Sequence, residues 1–299
     1  MSSCKKSSTS SEISRGTGWK INIDKGGFTY KDQFKEQETA PGLIFIEGGT
    51  YTKGKVQDDV MRDWNNTPTQ QHVQSFYMDE TEVTNLMYLE YLKYLKAVYP
   101  PDNPKFKGIY ESALPDTLVW RNRLSYNEDL VVNYLRHPAY AEFPVVGVSW
   151  LQANQYAKWR TDRVNEAILE REGFLSKDAK YAPLDGNANA FNTDAYLMSP
   201  QNTYSGAIDS LQGRNQRDSL PVFAKRSYGI LLPSYRLPTE TEWEYAAQAQ
   251  SGDREYNNYK GRKKYPWDGE YTRDNNKKGM GDQLANFKIG KGDYGGIAG

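Results

Sequence analysis

Three helix starts in this chain are marked by capping chemistry, and they fix where its longest regular elements can lie. Thr84 or Asn85 precedes a run in which Leu86, Leu89, Leu92 and Leu95 recur at helical spacing beside Tyr88 and Tyr91. That pattern predicts a helix to about Val98, stopped by Pro100-Pro101, since proline supplies no backbone donor and clashes with the preceding turn. Ser149-x-x-Gln152 is a capping box opening a helix through about Arg171, with Trp150, Ala153, Ala157, Val164 and Ile168 inward and Gly173 at its end. A third box, Thr239-x-x-Glu242 after Pro238, starts a shorter helix carrying Trp243 and Ala246-Ala247.

Before the first helix, the apolar run Leu43-Ile44-Phe45-Ile46 ends at Gly48-Gly49, and Thr50-Tyr51-Thr52 and Gly54 follow. This reads as a β-hairpin turning on the glycines, which reach positive φ without strain. Residues 72–78, apolar at Val73, Phe76 and Met78, read as a second strand able to pair with it. Two stretches, 99–143 and 173–234, break the order and are expected to be insertions. Long irregular stretches of this kind usually carry function, so both are candidate partner surfaces.

Hydrophobic residues make up only 37% of the chain, so the core must be economical. With 23 Tyr, 7 Trp and 10 Phe against 25 Gly and 14 Pro, much of the packing is expected from rings on irregular backbone. Lys plus Arg balance Asp plus Glu at 38 each, so no net field draws the chain to nucleic acid, and a nucleic-acid partner is not expected. The chain as written holds no apolar run of about 18 residues, the length a spanning helix needs.

Cys4 is the single cysteine, which excludes an intrachain disulfide and a thiolate zinc cluster within this sequence. It sits in Met1-Ser2-Ser3-Cys4-Lys5-Lys6, before the small polar run Ser7-Ser8-Thr9-Ser10-Ser11. Met1-Ser2-Ser3-Cys4 resembles the end of a bacterial lipobox, with Met1 where Leu is usual, and implies a signal segment upstream and acylation at Cys4. Residues 1–17 are therefore expected to be a lipoprotein tether and 18–299 the folded domain, with order beginning near Trp19.

Four segments, in order, resemble the formylglycine-generating enzyme or sulfatase-modifying-factor family. They are Ile46-Glu47-Gly48-Gly49-Thr50, Asp79-Glu80-Thr81-Glu82-Val83-Thr84-Asn85, residues 144–150, and residues 235–245 with Arg236-Leu237-Pro238-Thr239-Glu240 at their head. Tyr265-Pro266-Trp267 and Ala285-Asn286 follow where that family has similar motifs. The resemblance covers about residue 43 to the end. It implies an α/β (α+β) fold related to C-type lectins, low in regular secondary structure. The family continues beyond the point matching Gly299, so the domain is expected to be C-terminally incomplete. Thr17-Gly18-Trp19, the stretch 63–72, Ser75-Phe76-Tyr77-Met78 and Gly292-Asp293-Tyr294-Gly295-Gly296 are similar to a subgroup of that family, the gliding-motility lipoproteins. Lys53 before Gly54 and Asp268 after Trp267 depart from the family pattern.

The resemblance sets the chemical expectations. The oxidative members need a pair of cysteines in the C-terminal portion to hold copper, and the related sulfoxide synthases bind iron through three histidines. This sequence has His72 and His137 only, each expected to be a surface or structural histidine. The carboxylate sets Asp79, Glu80, Glu82 and Glu240, Glu242, Glu244 offer acid/base candidates, but no nucleophile or metal accompanies them. Glu242 is expected to serve the capping box, and Arg236 and Asp79 to be buried as ion-pair partners. Asn286 and Phe287 match half of the family's calcium site, with Asp293 a local substitute ligand or Asn286 simply a turn residue. The expected function is therefore non-catalytic: a scaffold lipid-anchored at the periplasmic side of the outer membrane, holding other subunits of the gliding and type IX secretion machinery. A fragment of a metal-dependent oxidase and a glycan-binding module are the alternatives.

Overall fold

The computed structural model describes residues 13, 16–20, 38–54, 67–121, 126–172, 174–175, 190–198, 224–226, 229–248, 265–267 and 271–285. The chain divides into two compact units, Met1–Glu38 and Thr39–Gly299. In the first, Ile13 and Lys20 form an antiparallel bridge. Gly18 turns the chain there at φ 73°, and the Trp19 amide donates to Thr17 Oγ1 at 3.3 Å, leaving the Trp19 ring exposed.

The second unit begins with four strands, β1 (Leu43–Ile46), β2 (Gly49–Lys53), β3 (Thr69–Val73) and β4 (Phe76–Asp79). The expected turn at Gly48-Gly49 does not form. β1 pairs antiparallel with β4, and β2 with β3, so residues 43–53 run on as one arm against 69–79. From Ile46↔Phe76 to Gly49↔Val73 the register advances three residues on one strand and three on the other, and no residue is gained or lost. The strand expected over 72–78 is likewise two strands, split at Gln74-Ser75.

The glycines serve close approach here, and neither has a positive φ. A Cβ on Gly48 would lie 2.5 Å from both Ser75 N and Val73 O, while the Gly48 amide donates to Ser75 Oγ at 2.9 Å. At Gly49 the obstacle would be the Tyr245 hydroxyl, 2.7 Å away.

The helices start where capping chemistry requires. α1 (Asn85–Val98) has Thr84 as its N-cap, the Thr84 hydroxyl accepting from the Met87 amide at 3.3 Å. Asn85 instead lies buried and donates to Tyr134 O and Tyr140 O at 3.0 and 2.9 Å. The buried stripe is Tyr88, Tyr91, Leu92, Tyr94, Leu95 and Val98, so Leu86 is off it and exposed. The expected insertion at 99–143 carries α2 (Lys107–Ala113), α3 (Glu128–Asn133) and two short 3₁₀ turns. Ala113 and Leu135 pack into the same cluster as α1.

α4 (Trp150–Arg171) opens on the Ser149/Gln152 capping box, both halves of which form. Trp150 points outward, against expectation, at 73% exposure, because the inward face of this helix begins at Tyr156. Ala153, Ala157 and Val164 are half-buried and Ile168 is buried, while Gly173 lies outside the described residues. The first half of α4 meets α1 through rings: Tyr156 stacks on Tyr88 at 5.7 Å, and Trp159 lies 5.1 Å from Tyr91. Its second half packs Leu169 against Phe191, Leu231 and Tyr196 of α5 (Thr193–Met198). Most of the second expected insertion, 173–234, lies outside the described residues.

α6 (Glu240–Gln248) is bolted to the strands by two tyrosines. Tyr51, fully buried, donates to Thr241 O at 2.8 Å, and Tyr245 donates to Glu47 O at 2.9 Å, their rings meeting edge-on at 5.3 Å. The Thr239/Glu242 box forms: Thr239 N donates to Glu242 Oε2 at 2.8 Å and Glu242 N to Thr239 Oγ1 at 3.2 Å. Trp243 is exposed. The Arg236 guanidinium, followed by the Thr239 donors, brings the Glu242 carboxyl from its ordinary 4.5 down to about 2. The result, among the described residues, is a mixed α/β fold of helices and small antiparallel sheets, as expected from the sequence.

Gly48→Ala forces a methyl into the facing backbone and is expected to destabilise by about 2 kcal/mol, the usual range for overpacking. Gly108→Ala, on the exposed face of α2 with open space around it, is expected to stabilise by about 0.5 kcal/mol; urea midpoints check both. Because folding lowers the Glu242 pKa, its contribution is full above pH 4.5 and disappears as pH falls toward about 2. Glu242→Gln should flatten the stability profile within that window, as followed by acid titration of the melting midpoint.

Candidate functional site

The carboxylates that the sequence offers for acid/base work are largely engaged in holding backbone and arginines. Asp79, at the end of β4, takes a bidentate pair from Arg160 of α4, at 2.6 and 2.7 Å. Arg160 also donates to Pro41 O at 2.8 Å and lies over the Tyr235 ring, 4.4 Å from its centroid. Burial opposes the Arg160 charge, but the Asp79 contacts outweigh it and the pKa rises. The expected pairing of Asp79 with Arg236 is thereby corrected. Arg236 forks instead onto Glu242, six residues away, at 2.8 and 2.7 Å, where the capping geometry already holds the carboxylate.

The other members of the second acidic set also have structural partners. Glu240 pairs with Lys53 at 2.6 Å, and Glu244 accepts from the Gly54 amide at 2.9 Å. These contacts fasten the end of β2 to the first turns of α6. Glu80 and Glu82 are exposed beyond β4. Burial pushes the phenols of Tyr91 and Tyr156 up to about 12, so neither ionises near neutral pH.

Each histidine has a local role. His72, exposed on β3, lies with Nδ1 3.2 Å from Thr50 Oγ1 on the paired strand β2. His137 caps the 3₁₀ turn Pro138–Tyr140 by accepting from the Ala139 amide at 3.2 Å. Among the described residues no three His, Cys, Asp or Glu side chains come together as a metal-binding group. Cys4, Asn286, Phe287 and Asp293 lie outside the described residues, as does Asp268. The chain just before Asn286 forms a tight loop, with Arg273 bridged to Gln283 and the Asp274 amide donating to Asp282 O at 2.8 Å.

What the sequence reading missed is apolar surface. Residues 83–86 run beside 141–145: Asn85 N donates to Phe143 O at 2.8 Å, Leu86 N to Ala141 O at 2.9 Å and Val145 N to Val83 O at 2.9 Å. That pairing sets exposed Leu86 beside exposed Phe143, where the first expected insertion returns to the domain. Trp150 and Leu151 are exposed at the start of α4, and Leu118 and Val119 on the 3₁₀ turn Thr117–Trp120. Gly147 binds this turn to the approach to α4: its φ is 80°, its carbonyl accepts from Asp116 N at 2.8 Å, and a Cβ there would collide with Asp116 O. The one available signal was that Leu86 falls off the stripe set by Tyr88, Tyr91 and Leu95. Exposed apolar side chains of this kind are suited to contact with another macromolecule.

Part of this chain is similar to a small part of three longer proteins. The chain is 30% identical over 132 residues to a protein named serine/threonine-protein kinase pkn1 from Chlamydia caviae. It is 28% identical over 131 residues to serine/threonine-protein kinase Pkn1 from Chlamydia trachomatis serovar L2. To serine/threonine-protein kinase pkn1 from Chlamydia pneumoniae it is 29% identical over 133 residues. Each match takes in 43% of this chain and 18% of the relative's length. No solved structure matches the chain. The model of the sulfatase-modifying factor enzyme 1-like domain matches residues 29–295, nearly the whole chain, and the protein belongs to that family.

Proposed function

We propose that this protein is a non-catalytic assembly component of the bacterial gliding-motility and type IX secretion machinery, of the kind represented by the lipoprotein GldJ and its relative GldK. The observation that carries the reading is the structural engagement of four of its six acidic candidates, Glu80 and Glu82 standing exposed. Asp79, Glu240, Glu242 and Glu244 are committed to Arg160, Lys53, Arg236 and the Gly54 amide, and the tyrosines beside them are held protonated. Family membership supplies the domain, and the similarity of Thr17-Gly18-Trp19, the stretch 63–72 and Ser75-Phe76-Tyr77-Met78 to the gliding lipoproteins supports the finer assignment. In this reading Cys4 is acylated and the domain faces the periplasm from the outer membrane. The exposed apolar residues of 99–143, together with 173–234, hold neighbouring envelope subunits.

The test uses the full gene product in its native cell. Radiolabelled palmitate is expected to enter the protein, and Cys4→Ser to abolish the label and release the protein from the outer-membrane fraction. Deleting 199–223, the part of 173–234 that spares the buried Leu175, Phe191, Tyr196, Ala224 and Leu231, is expected to lose co-purifying gliding or secretion subunits while the protein remains in the membrane. Unlabelled protein overturns the anchor, and retention of every partner after the deletion overturns the surface assignment. Oxygen-dependent turnover by the purified protein with copper or iron supplied overturns the non-catalytic reading as a whole.

A further inference from the structure

Arg160 holds three separated parts of the chain at once. Its guanidinium forks onto Asp79 at the end of β4, with bonds of 2.6 and 2.7 Å, and its Nη2 also donates to Pro41 O at 2.8 Å. The Tyr235 ring lies against the same group, its centroid 4.4 Å from Cζ. Fork, carbonyl and ring together use both the edge and the face of a planar guanidinium, which an ammonium group cannot match. The Arg160 side chain is 13% exposed and that of Asp79 30%, so salt screens this pair less than it screens a pair at the surface.

These bonds sit where the chain runs into the Thr39–Gly299 unit. Pro41 and Gly42 precede β1, which pairs with β4 so that Leu43 faces Asp79. A pull from the N-terminal side therefore reaches the ladder at its Leu43↔Asp79 end. The bonds of an antiparallel ladder lie across the strands, so parting the strands from one end breaks them in sequence. At that end Glu80 N donates to Gly42 O at 3.3 Å, a long bond. Arg160 bridges the same two strand ends with charge-assisted bonds, which are shorter and roughly twice as strong as neutral ones. It stands on α4, whose Tyr156 and Trp159 pack against Tyr88 and Tyr91 of α1. Gly42 admits the group: at φ 76° its backbone comes so near that a Cβ would lie 3.3 Å from both Arg160 Nη2 and Asp79 Oδ1. Arg236, by contrast, makes its fork onto Glu242 six residues on, inside one local capping structure.

We propose that Arg160 is a tension staple: it passes a pull on the N-terminal tether into the α4–α1 core, so that the β1–β4 ladder is not opened from its end. The inference rests on the reading of Cys4 as a membrane anchor, and it adds to that reading the residue that takes the strain. A pair that served equilibrium stability alone would slow opening under force no more than another pair of equal stability does, and that contrast is what the experiment reads.

The full gene product, expressed without its lipid, is held in magnetic tweezers by tags at its two ends. Opening at constant force is read as a step of about 25–30 Å, the extended length of residues 39–46. Arg160→Lys keeps the charge but loses the fork, and is expected to open at least about tenfold faster, the change that losing a hydrogen bond to a charged group brings. Asp79→Asn, which breaks the same fork from the other side, should act comparably and supplies the rate if Arg160→Lys melts early. Arg236→Lys loses an arginine fork elsewhere, and is expected to give this step at the wild-type rate. Urea midpoints set each rate beside the variant's equilibrium stability. Wild-type opening in Arg160→Lys and Asp79→Asn overturns the proposal, as does equal acceleration in Arg236→Lys or acceleration that merely tracks the urea midpoint across the three variants. Absence of palmitate from Cys4 would remove the anchor and leave these rates as they are, whereas wild-type rates here would leave the anchor standing.

Discussion

Backbone that belongs to neither helix nor sheet must still place its N–H and C=O groups, and in this protein side chains meet that demand. Tyrosine does much of it. The buried hydroxyls of Tyr51, Tyr88, Tyr134 and Tyr245 donate to the carbonyls of Thr241, Ala113, Pro144 and Glu47, and that of Tyr196 accepts from the Ala224 amide. Each ring buries apolar area at one end and satisfies an irregular segment at the other, which is what a chain with 23 Tyr and little regular structure requires. The polar side of α4 completes the set. Thr161 accepts from Tyr235 N, Asn165 both accepts from Leu232 N and donates to its carbonyl, and Asp162 accepts from Thr193 N.

The same demand accounts for the chemistry. Carboxylates and arginines that might be read as an active site are fixed to partners far along the chain: Asp79 to Arg160, Lys53 to Glu240, Gly54 to Glu244. Groups locked this way resist the changes of protonation and position that acid/base catalysis needs. Domain and fold follow from family membership, whereas any activity within a family rests on the site each member carries.

The sequence disclosed what short-range chemistry controls. Ser149 and Thr239 marked helix starts because a capping box is complete within four residues, Thr84 marked one as a simple N-cap, and Pro100-Pro101 marked an end. Features set by distant neighbours were hidden. Gly48-Gly49 resembles a turn, yet its glycines make room for the Val73–Ser75 backbone and the Tyr245 hydroxyl, neither visible locally. Asp79 lies 81 residues from its arginine, and nothing near it in the sequence selects Arg160 over Arg236. Trp150 was expected inside, and Leu86 shared the leucine spacing of its helix, but both stand at the first turn of their helices, off the packed stripe.

The interrupted ladder has a mechanical corollary. At Glu47-Gly48 the two arms stay in step, and the bond from the Gly48 amide to Ser75 Oγ takes the place of the backbone ladder, so right-handed coiling built up beside α6 passes this point through a softer side-chain link. Twist can therefore change across this joint while α6 keeps its grip on β2 through Tyr51 and Tyr245.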